Sequence, residues 1–249
     1  MKLSSLGFLL FIWVSPVLGT CLNDDFDDDP LGTRWTSITG GAEFWDSAQG
    51  VWYVKEDNVS FNSYNTTVDS FDMEAQVTST FTATRGHSAA VRYNNAGALT
   101  TYTNYHGGGG LIILARWDAG TRIAKGTSSD IGTEDAGDWM TTRLRAQGAD
   151  GANVLLDMWG TLHDTTKPSS RPAWNSTSII SQVTDSDANR LDDITLHTEI
   201  GLGGRAGANN LYNAMDYWMA RAVSDEAGCG GAPASDPEIR SPSRVIIFQ

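Results

Sequence analysis

The chain has 249 residues, a length that suits one large all-β domain or two small ones. Its 17 Lys and Arg residues stand against 30 Asp and Glu, which gives a formal net charge of −13. This balance argues against a nucleic-acid partner, because phosphate contacts need clustered basic side chains. It is compatible with neutral sugars, and carboxylate-rich loops invite divalent cations.

Residues 1–19 are predicted to be a signal peptide. Lys2 supplies the positive start, residues 6–14 form the apolar stretch, and Gly19 is a small residue before a cleavage point. The apolar stretch is too short to span a bilayer comfortably, and no later segment qualifies as a transmembrane helix. We therefore expect secretion. A lipid anchor on Cys21 is the alternative, because residues 18–21 approximate a lipobox in which Thr20 is a poor match.

The two cysteines, Cys21 and Cys229, lie on either side of the expected domain. In an oxidising compartment an even number of cysteines favours a bridge, and the termini of sandwich domains commonly lie close together. We predict a Cys21–Cys229 disulfide, the alternative being a lipidated Cys21 with a free Cys229. The domain is expected over 20–227, followed by a tail over 228–249 that is rich in Gly, Pro and Ser.

The predicted elements are almost all strands. An acidic run over 24–29 leads to a Pro-Leu-Gly turn, and Trp35, Trp45 and Trp52 follow as candidates to seed a core. The clearest strand is 71–77, where Phe, Met, Ala and Val alternate with Asp, Glu and Gln. Further strands are predicted over 88–93, 99–105, 111–117, 121–126, 139–146, 154–159, 194–201 and 214–223.

No stretch of ten or more residues shows convincing helical periodicity, so the predicted class is all-β with about a dozen antiparallel strands. Residues 160–192 interrupt the strand pattern with a polar stretch and an acidic one. We interpret them as an insertion or long crossing loop, which on a rigid sandwich is a common location for binding functions. Three glycosylation sequons begin at Asn58, Asn65 and Asn175.

The ordered motifs resemble those of laminin-G-like domains of the concanavalin A-like superfamily, over roughly residues 23–224. The similar features are an Asp-Asp-Phe opening at 24–26 with a turn and Trp35, an Arg-Tyr strand end at 92–93 followed by Tyr102, Gly-x-Gly at 201–203, and Asp216 in the last strand. The resemblance implies an antiparallel two-sheet jelly-roll sandwich. That fold serves many functions, so activity has to be argued from the site.

The resemblance also implies a structural cation. In related jelly rolls an aspartate of the first strand and one of the last strand approach each other and help to hold it. The corresponding residues here are Asp24 or Asp25 with Asp216, and the expected ion is Ca2+. The competing interpretation is that the acidic run is a solvated turn. An EF-hand loop starting at Asp25 fails, because Pro30 stands in the place of its glycine and Thr36 in that of its closing glutamate.

The sequence favours binding over catalysis. Laminarinase-type hydrolases of this fold carry Glu-x-Asp-x-x-Glu on one strand, and no glutamate in the chain begins that pattern. Polysaccharide lyases on similar folds combine His, Tyr, Arg and Gln. Here Arg92, Tyr105, His106 and His197 match no known spacing. A lyase or hydrolase with an unfamiliar set of residues stays open as the alternative.

A sugar site combines an exposed aromatic ring with planar polar groups for hydroxyls. We expect ligand contacts from Arg92, Tyr102, Tyr105, Arg116, Trp117, Trp159 and Trp174. Of these, Trp174 lies in the polar insertion and is least expected in the core. The predicted function is a secreted carbohydrate-binding, lectin-like or adhesion module with a glycan or polysaccharide as partner. A structural surface or particle component is the third possibility, and no feature indicates the oligomeric state.

Overall fold

The computed structural model describes residues 21–225, except 40–42, 56–59, 66–67, 69, 83–84, 87, 95–98, 109, 129, 134, 136, 175–178 and 205–211. The predicted signal peptide, Cys229, the tail and the sequons at Asn58 and Asn175 therefore lie outside the described residues. Within this part of the chain, no helix is long and apolar enough to cross a membrane.

The described chain forms sixteen β-strands and one 3-10 helix, Val223–Asp225. The strands are β1 Leu22–Asp24, β2 Trp35–Thr39, β3 Glu43–Asp46, β4 Val51–Lys55, β5 Ser60–Tyr64, β6 Met73–Thr82, β7 Arg85–Gly86, β8 Ser88–Asn94, β9 Thr100–Gly108, β10 Leu111–Asp118, β11 Thr121–Thr127, β12 Trp139–Gln147, β13 Val154–Leu162, β14 Ser181–Asp185, β15 Glu199–Gly204 and β16 Tyr212–Ala222.

The strands build two sheets. The nine-stranded sheet has the order β14-β13-β12-β6-β16-β4-β3, with β1 beside β16 and β7 beside β6, and the seven-stranded sheet has the order β11-β10-β9-β8-β15-β5-β2. All strand pairs in the described residues are antiparallel. The predicted all-β, two-sheet jelly-roll sandwich is thus confirmed, and the first strand pairs with the last.

An aromatic cluster lies at the centre of the core. Trp35 and Trp52 are fully buried, as predicted, and the ring of Trp35 packs edge-on against that of Trp218 with centroids 4.9 Å apart. Phe26 joins them, with its ring centroid 5.6 Å from that of Trp52. Trp45 is only half-buried and donates its indole N–H to the carbonyl of Phe26 at 2.7 Å. Burial of apolar surface is the main favourable term in folding, and each of these rings removes a large apolar area from water.

The Gly-x-Gly motif has a packing cause. Gly201 and Gly203 lie on β15, opposite Ser63 and Phe61 of β5. A Cβ on Gly201 would collide with the backbone of Asn62, and one on Gly203 would collide with the ring of Phe61. The close approach of these two strands therefore requires residues without side chains.

The predicted insertion over 160–192 is partly regular structure. It contains the end of β13 and the whole of β14, which pairs with β13 at the edge of the nine-stranded sheet. Because β14 is an edge strand that is partly exposed, it does not need a run of apolar residues, and its sequence therefore does not predict a strand. Other strands differ from their predicted bounds: β15 starts at Glu199 rather than at residue 194, and β6 covers Met73–Thr82 rather than 71–77.

Candidate functional site

The outer face of the nine-stranded sheet carries a row of charged side chains. Because successive residues of a strand point to opposite faces, Ala75 and Leu144 enter the core while their neighbours point outward. Glu74 of β6 lies opposite Arg145 of β12 and Arg221 of β16. The next row along the strands joins Gln76 to Arg143 and Arg143 to Trp159.

Glu74 is the centre of this row. Its Oε2 accepts hydrogen bonds from Arg143 Nη2 at 2.5 Å and from Arg145 Nε at 2.7 Å, and its Oε1 accepts one from Arg221 Nε at 2.5 Å. Burial by itself would raise the pKa of this carboxyl group, but the guanidinium groups of Arg143 and Arg145 hold the pKa of Glu74 below its usual value. Glu74 is therefore ionised and links three neighbouring strands.

Two tryptophans cover the arginines. The Arg143 guanidinium lies 4.2 Å from the ring centroid of Trp159 and 5.4 Å from that of Trp174, and the Arg221 guanidinium lies 4.2 Å from the Trp174 centroid. These are cation–π distances. Trp159 is 5% exposed and Trp174 is partly exposed. We call the set formed by Glu74, Arg143, Arg145, Trp159, Trp174 and Arg221 the tryptophan–arginine platform.

Residues 163–174, here called the crossing segment, run over this outer face. Lys167 Nζ donates to Asp216 Oδ1 at 2.8 Å and to the carbonyl of Gln49 at 3.1 Å. Arg171 Nη2 contacts Asp25 Oδ2 at 3.3 Å. At the far end, Gln76 Nε2 donates to the carbonyl of Ala173 at 3.0 Å, directly before Trp174. The crossing segment is thus attached along its length, and its attachments hold the indole of Trp174 in place.

The predicted calcium ligands are engaged by protein donors. Asp24 Oδ1 accepts from the backbone N–H of Phe26 at 2.9 Å, and its Oδ2 accepts from Arg34 Nε and Trp35 Nε1, both at 2.7 Å. Among the described residues, no three His, Cys, Asp or Glu side chains are grouped so as to hold a metal ion. With its oxygens bonded in this way, Asp24 does not fit a Ca2+ site, which needs six to eight free oxygen ligands.

Asp216 differs from Asp24 in having one oxygen without a bond. Burial raises its pKa to about 6, the bond to Lys167 opposes this shift, and the charges of Asp27 and Asp25 add to it. Asp216 Oδ2 is buried and has no hydrogen-bond partner in the described part of the chain. The charge of Asp25 thus contributes to the raised pKa of Asp216, but the cation in contact with Asp216 Oδ1 is the ammonium of Lys167. The calcium ion stays a prediction.

Arg92 lies inside the sandwich rather than on a ligand face. It sits at an irregularity in the β8–β9 pairing and has a φ of 51°. Its guanidinium is fully buried and donates to three backbone carbonyls, those of Phe71 at 3.2 Å, Leu191 at 3.0 Å and Gly148 at 3.0 Å. Arg92 therefore joins three chain segments at one end of the fold.

Tyr102 and Arg116 also point into the interior. Both bind Asp185 Oδ2 of β14 at 2.8 Å, Tyr102 through its hydroxyl and Arg116 through Nη1. Lys125 Nζ of β11 binds the other oxygen of Asp185 at 2.8 Å. This network connects edge strand β14 of one sheet to edge strand β11 of the other, so its members hold the two sheets together at this edge.

Tyr105 and Trp117 lie on the other face of the seven-stranded sheet, and both are buried. Trp117 Nε1 donates to Thr103 Oγ1 at 3.0 Å, and the Tyr105 hydroxyl accepts from Arg122 Nη1. In this conformation neither ring offers a face to a sugar. Tyr105 and His106 are consecutive on β9 and point to opposite faces, so the four residues considered for a lyase do not converge.

Of the seven predicted ligand residues, Trp159 and Trp174 come together on the outer face of the nine-stranded sheet. Tyr105 and Trp117 share the outer face of the other sheet, but both are buried there. Sequence reasoning missed their partners Glu74, Arg143, Arg145 and Arg221, and also Lys167. A signal was present, because Arg143 and Arg145 alternate with apolar residues opposite the alternating Glu74 and Gln76. The remaining sequon residue, Asn65, is exposed, and its Nδ2 donates to the carbonyl of Thr33 at 3.0 Å.

No protein-family profile matches the sequence, and no curated protein matches it significantly. Solved structures with the same fold include the carbohydrate binding module CBM66 from Bacillus subtilis, with a TM-score of 0.50, 14% identity, and coverage of 74% of this chain and 92% of that one. A β-glucanase from Bacillus licheniformis gives a TM-score of 0.52 at 10% identity, covering 82% and 98%.

A third similar structure is the GH43 protein BlXynB from Bacillus licheniformis, with a TM-score of 0.53 and 12% identity. The match covers 80% of this chain but only 39% of that protein. At these identities the similarity shows the fold alone, a jelly-roll β-sandwich shared by a binding module and by glycoside hydrolases.

Proposed function

We propose that this protein is a secreted, lectin-like module of the concanavalin A-like superfamily that binds a carbohydrate on the outer face of its nine-stranded sheet. The observation that carries the proposal is Trp174, a partly exposed indole fixed over the Arg221 guanidinium at 4.2 Å. A ring held in one orientation before binding loses little entropy when a sugar stacks on it. The fold, which it shares with a carbohydrate binding module, supports this role.

Planar polar groups beside the platform support the same function. The Arg145 side chain is 15% exposed at the edge of the platform. Across the sheet, Arg145 pairs with Asp157, and Asp157 pairs with the exposed Gln182 of β14, whose Nε2 donates to Asp157 Oδ1 at 2.7 Å. Guanidinium, carboxylate and amide groups are suited to sugar hydroxyls, because a hydroxyl both donates and accepts a hydrogen bond.

The test is a glycan array followed by titration calorimetry on the best glycan, with wild type and two variants. We expect Trp174→Ala to weaken binding at least about tenfold, since truncating an aromatic anchor of a binding site costs on the order of 2 kcal/mol and tenfold corresponds to about 1.4 kcal/mol. Phe44→Ala is the matched control: Phe44 is 46% exposed and stacks on Tyr53, but it lies on edge strand β3 of the same sheet. Equal losses in both variants would contradict the assignment of the site.

A reducing-end assay on the same polysaccharides separates binding from catalysis. Turnover that one acidic substitution abolishes would replace the module with an enzyme, the alternative left open by the sequence. Self-association without affinity for any glycan would instead favour a structural surface component. Secretion is part of the proposal, and recovery of the mature chain from the medium, without lipid on Cys21, is the result that it requires.

A further inference from the structure

The ammonium of Lys167 occupies a position between three separate parts of the chain. It binds Asp216 of β16 at 2.8 Å and the backbone carbonyl of Gln49, in the turn between β3 and β4, at 3.1 Å. Lys167 itself belongs to the crossing segment. A carboxylate and a backbone carbonyl from the body of the sandwich therefore converge on one positive charge that the crossing segment supplies.

We propose that Lys167 is a built-in cation that takes the place of a divalent metal ion at Asp216 and fastens the crossing segment to the sheet. The chemistry of the donors fits an ammonium better than Ca2+. An ammonium has three N–H donors and needs few acceptors, whereas Ca2+ takes six to eight oxygens. Asp25, the other predicted calcium ligand in reach, faces the guanidinium of Arg171 at 3.3 Å.

Burial makes this charge necessary. The Asp216 side chain is 2% exposed and that of Lys167 is 38% exposed, so the carboxylate is removed from water while the lysine reaches the surface. An ionised carboxylate buried without a cation is costly, and the nearby Asp27 and Asp25 add to that cost by repulsion. Lys167 supplies the compensating charge from the crossing segment.

This arrangement has a different consequence from a metal site. A metal ion would join only the elements that ligate it, whereas Lys167 also ties down the segment that carries Trp174. The attachment of the crossing segment should therefore not depend on calcium in the medium. The role of Lys167 is tested by thermal stability and the proposed sugar binding by affinity, so a failure of one is distinguishable from a failure of the other.

The experiment compares thermal unfolding of the full chain with and without a chelator, then with added Ca2+, in the wild type, Lys167→Arg, Lys167→Met and Lys167→Ala. We expect the melting temperature of the wild type to be unchanged by either treatment. Lys167→Met should lower it by about 4–8 °C, a substantial shift for a domain of this size, and Lys167→Arg should lower it less because the charge is kept. Added ethylammonium should restore part of the loss in Lys167→Ala, and an equal ionic strength of NaCl should not.

Two results would overturn the proposal. A wild-type melting temperature that falls on chelation and returns with Ca2+ would make the metal ion the cation of this site. A Lys167→Met variant as stable as the wild type would mean that the ammonium is not part of the fold. If Lys167→Ala fails to fold, the chelation experiment on the wild type and the pair of Arg and Met variants still decide the matter.

Discussion

Arg92 shows how one residue can have a role opposite to that suggested by its type. The resemblance to laminin-G-like domains placed Arg92 and Tyr93 on a ligand-facing pair of strands, so a ligand contact was expected from Arg92. Here the positive φ of 51° at the irregular β8–β9 pairing accompanies a side chain that lies in the interior. Burial lowers the pKa of the guanidinium to about 10, a value still high enough for the group to be charged at neutral pH. Its five N–H donors in a planar fork match three carbonyls that converge from different directions.

At this scale we predict that Arg92→Met destabilises the protein by about 2–4 kcal/mol, because three carbonyls lose a charged donor and one of them, on Leu191, belongs to a buried residue. Arg92→Lys should recover only a small part, since one ammonium cannot reach all three acceptors. Urea unfolding measures both values. If the two variants unfold at the wild-type urea concentration, the fork of hydrogen bonds contributes nothing.

At the scale of elements, strand β6 organises the nine-stranded sheet. It lies between β12 and β16, and its single carboxylate at Glu74 binds arginines from both neighbours. A buried charge of this kind is costly to leave unpaired, so the pairing favours one register between three strands. The register of these strands also sets the positions of Trp159 and, through Gln76 and Arg221, of Trp174.

The lowered pKa of Glu74 leads to a pH prediction. The folded protein holds this carboxyl group with a pKa below 4.5, so in the acid range the unfolded chain binds more protons there. Glu74 therefore contributes stability that is fully present above about pH 4.5 and is lost as the pH falls through the folded pKa. Glu74→Gln should be less stable than the wild type at pH 7, and the gap in melting temperature should close towards pH 3. A gap that is constant with pH would contradict this account.

At the scale of the whole molecule, the two ends of the domain meet. Strand β1 pairs with β16 in the register Leu22 to Ala220, so Cys21 directly precedes a strand that lies beside the last one. The opposite edge of the sandwich is closed by Asp185 of β14 with Lys125 of β11. Backbone pairing thus holds the first strand to the last, and an ion pair holds the two sheets together at the opposite edge.

The predicted Cys21–Cys229 disulfide belongs to this scale. Mass spectrometry of the unreduced secreted protein should detect the bridged peptide, and two free thiols or a lipid on Cys21 would remove the prediction. If the bridge forms, the long loop that it closes would contribute up to about 5 kcal/mol on the chain-entropy model. Reduction should then lower the melting temperature while affinity for a glycan stays nearly unchanged, because the platform lies in strands β6, β12, β13 and β16 and the crossing segment.

Local patterns in the sequence determined the class of fold. Alternation of polar and apolar residues in the strands now described as β6 and β12, the tryptophans of the core and the Gly-x-Gly of β15 are properties of neighbouring residues. They predicted an all-β protein with antiparallel strands and tryptophans in its core, and the resemblance to laminin-G-like domains implied the two-sheet sandwich. They also indicated that residues 160–192 differ from the rest.

Only the tertiary structure decided what covers the polar faces. Glu74 binds an arginine 69 positions away and another 147 positions away, distances at which no local pattern specifies a partner. When polar residues alternate with apolar ones along a strand, the sequence predicts that the polar face is solvated. Here the crossing segment lies over that face of the nine-stranded sheet and buries its charges. Whether Arg92, Tyr102 and Arg116 face solvent or the interior depends in the same way on strand register and on the loops packed against them, which are set by contacts across the whole chain.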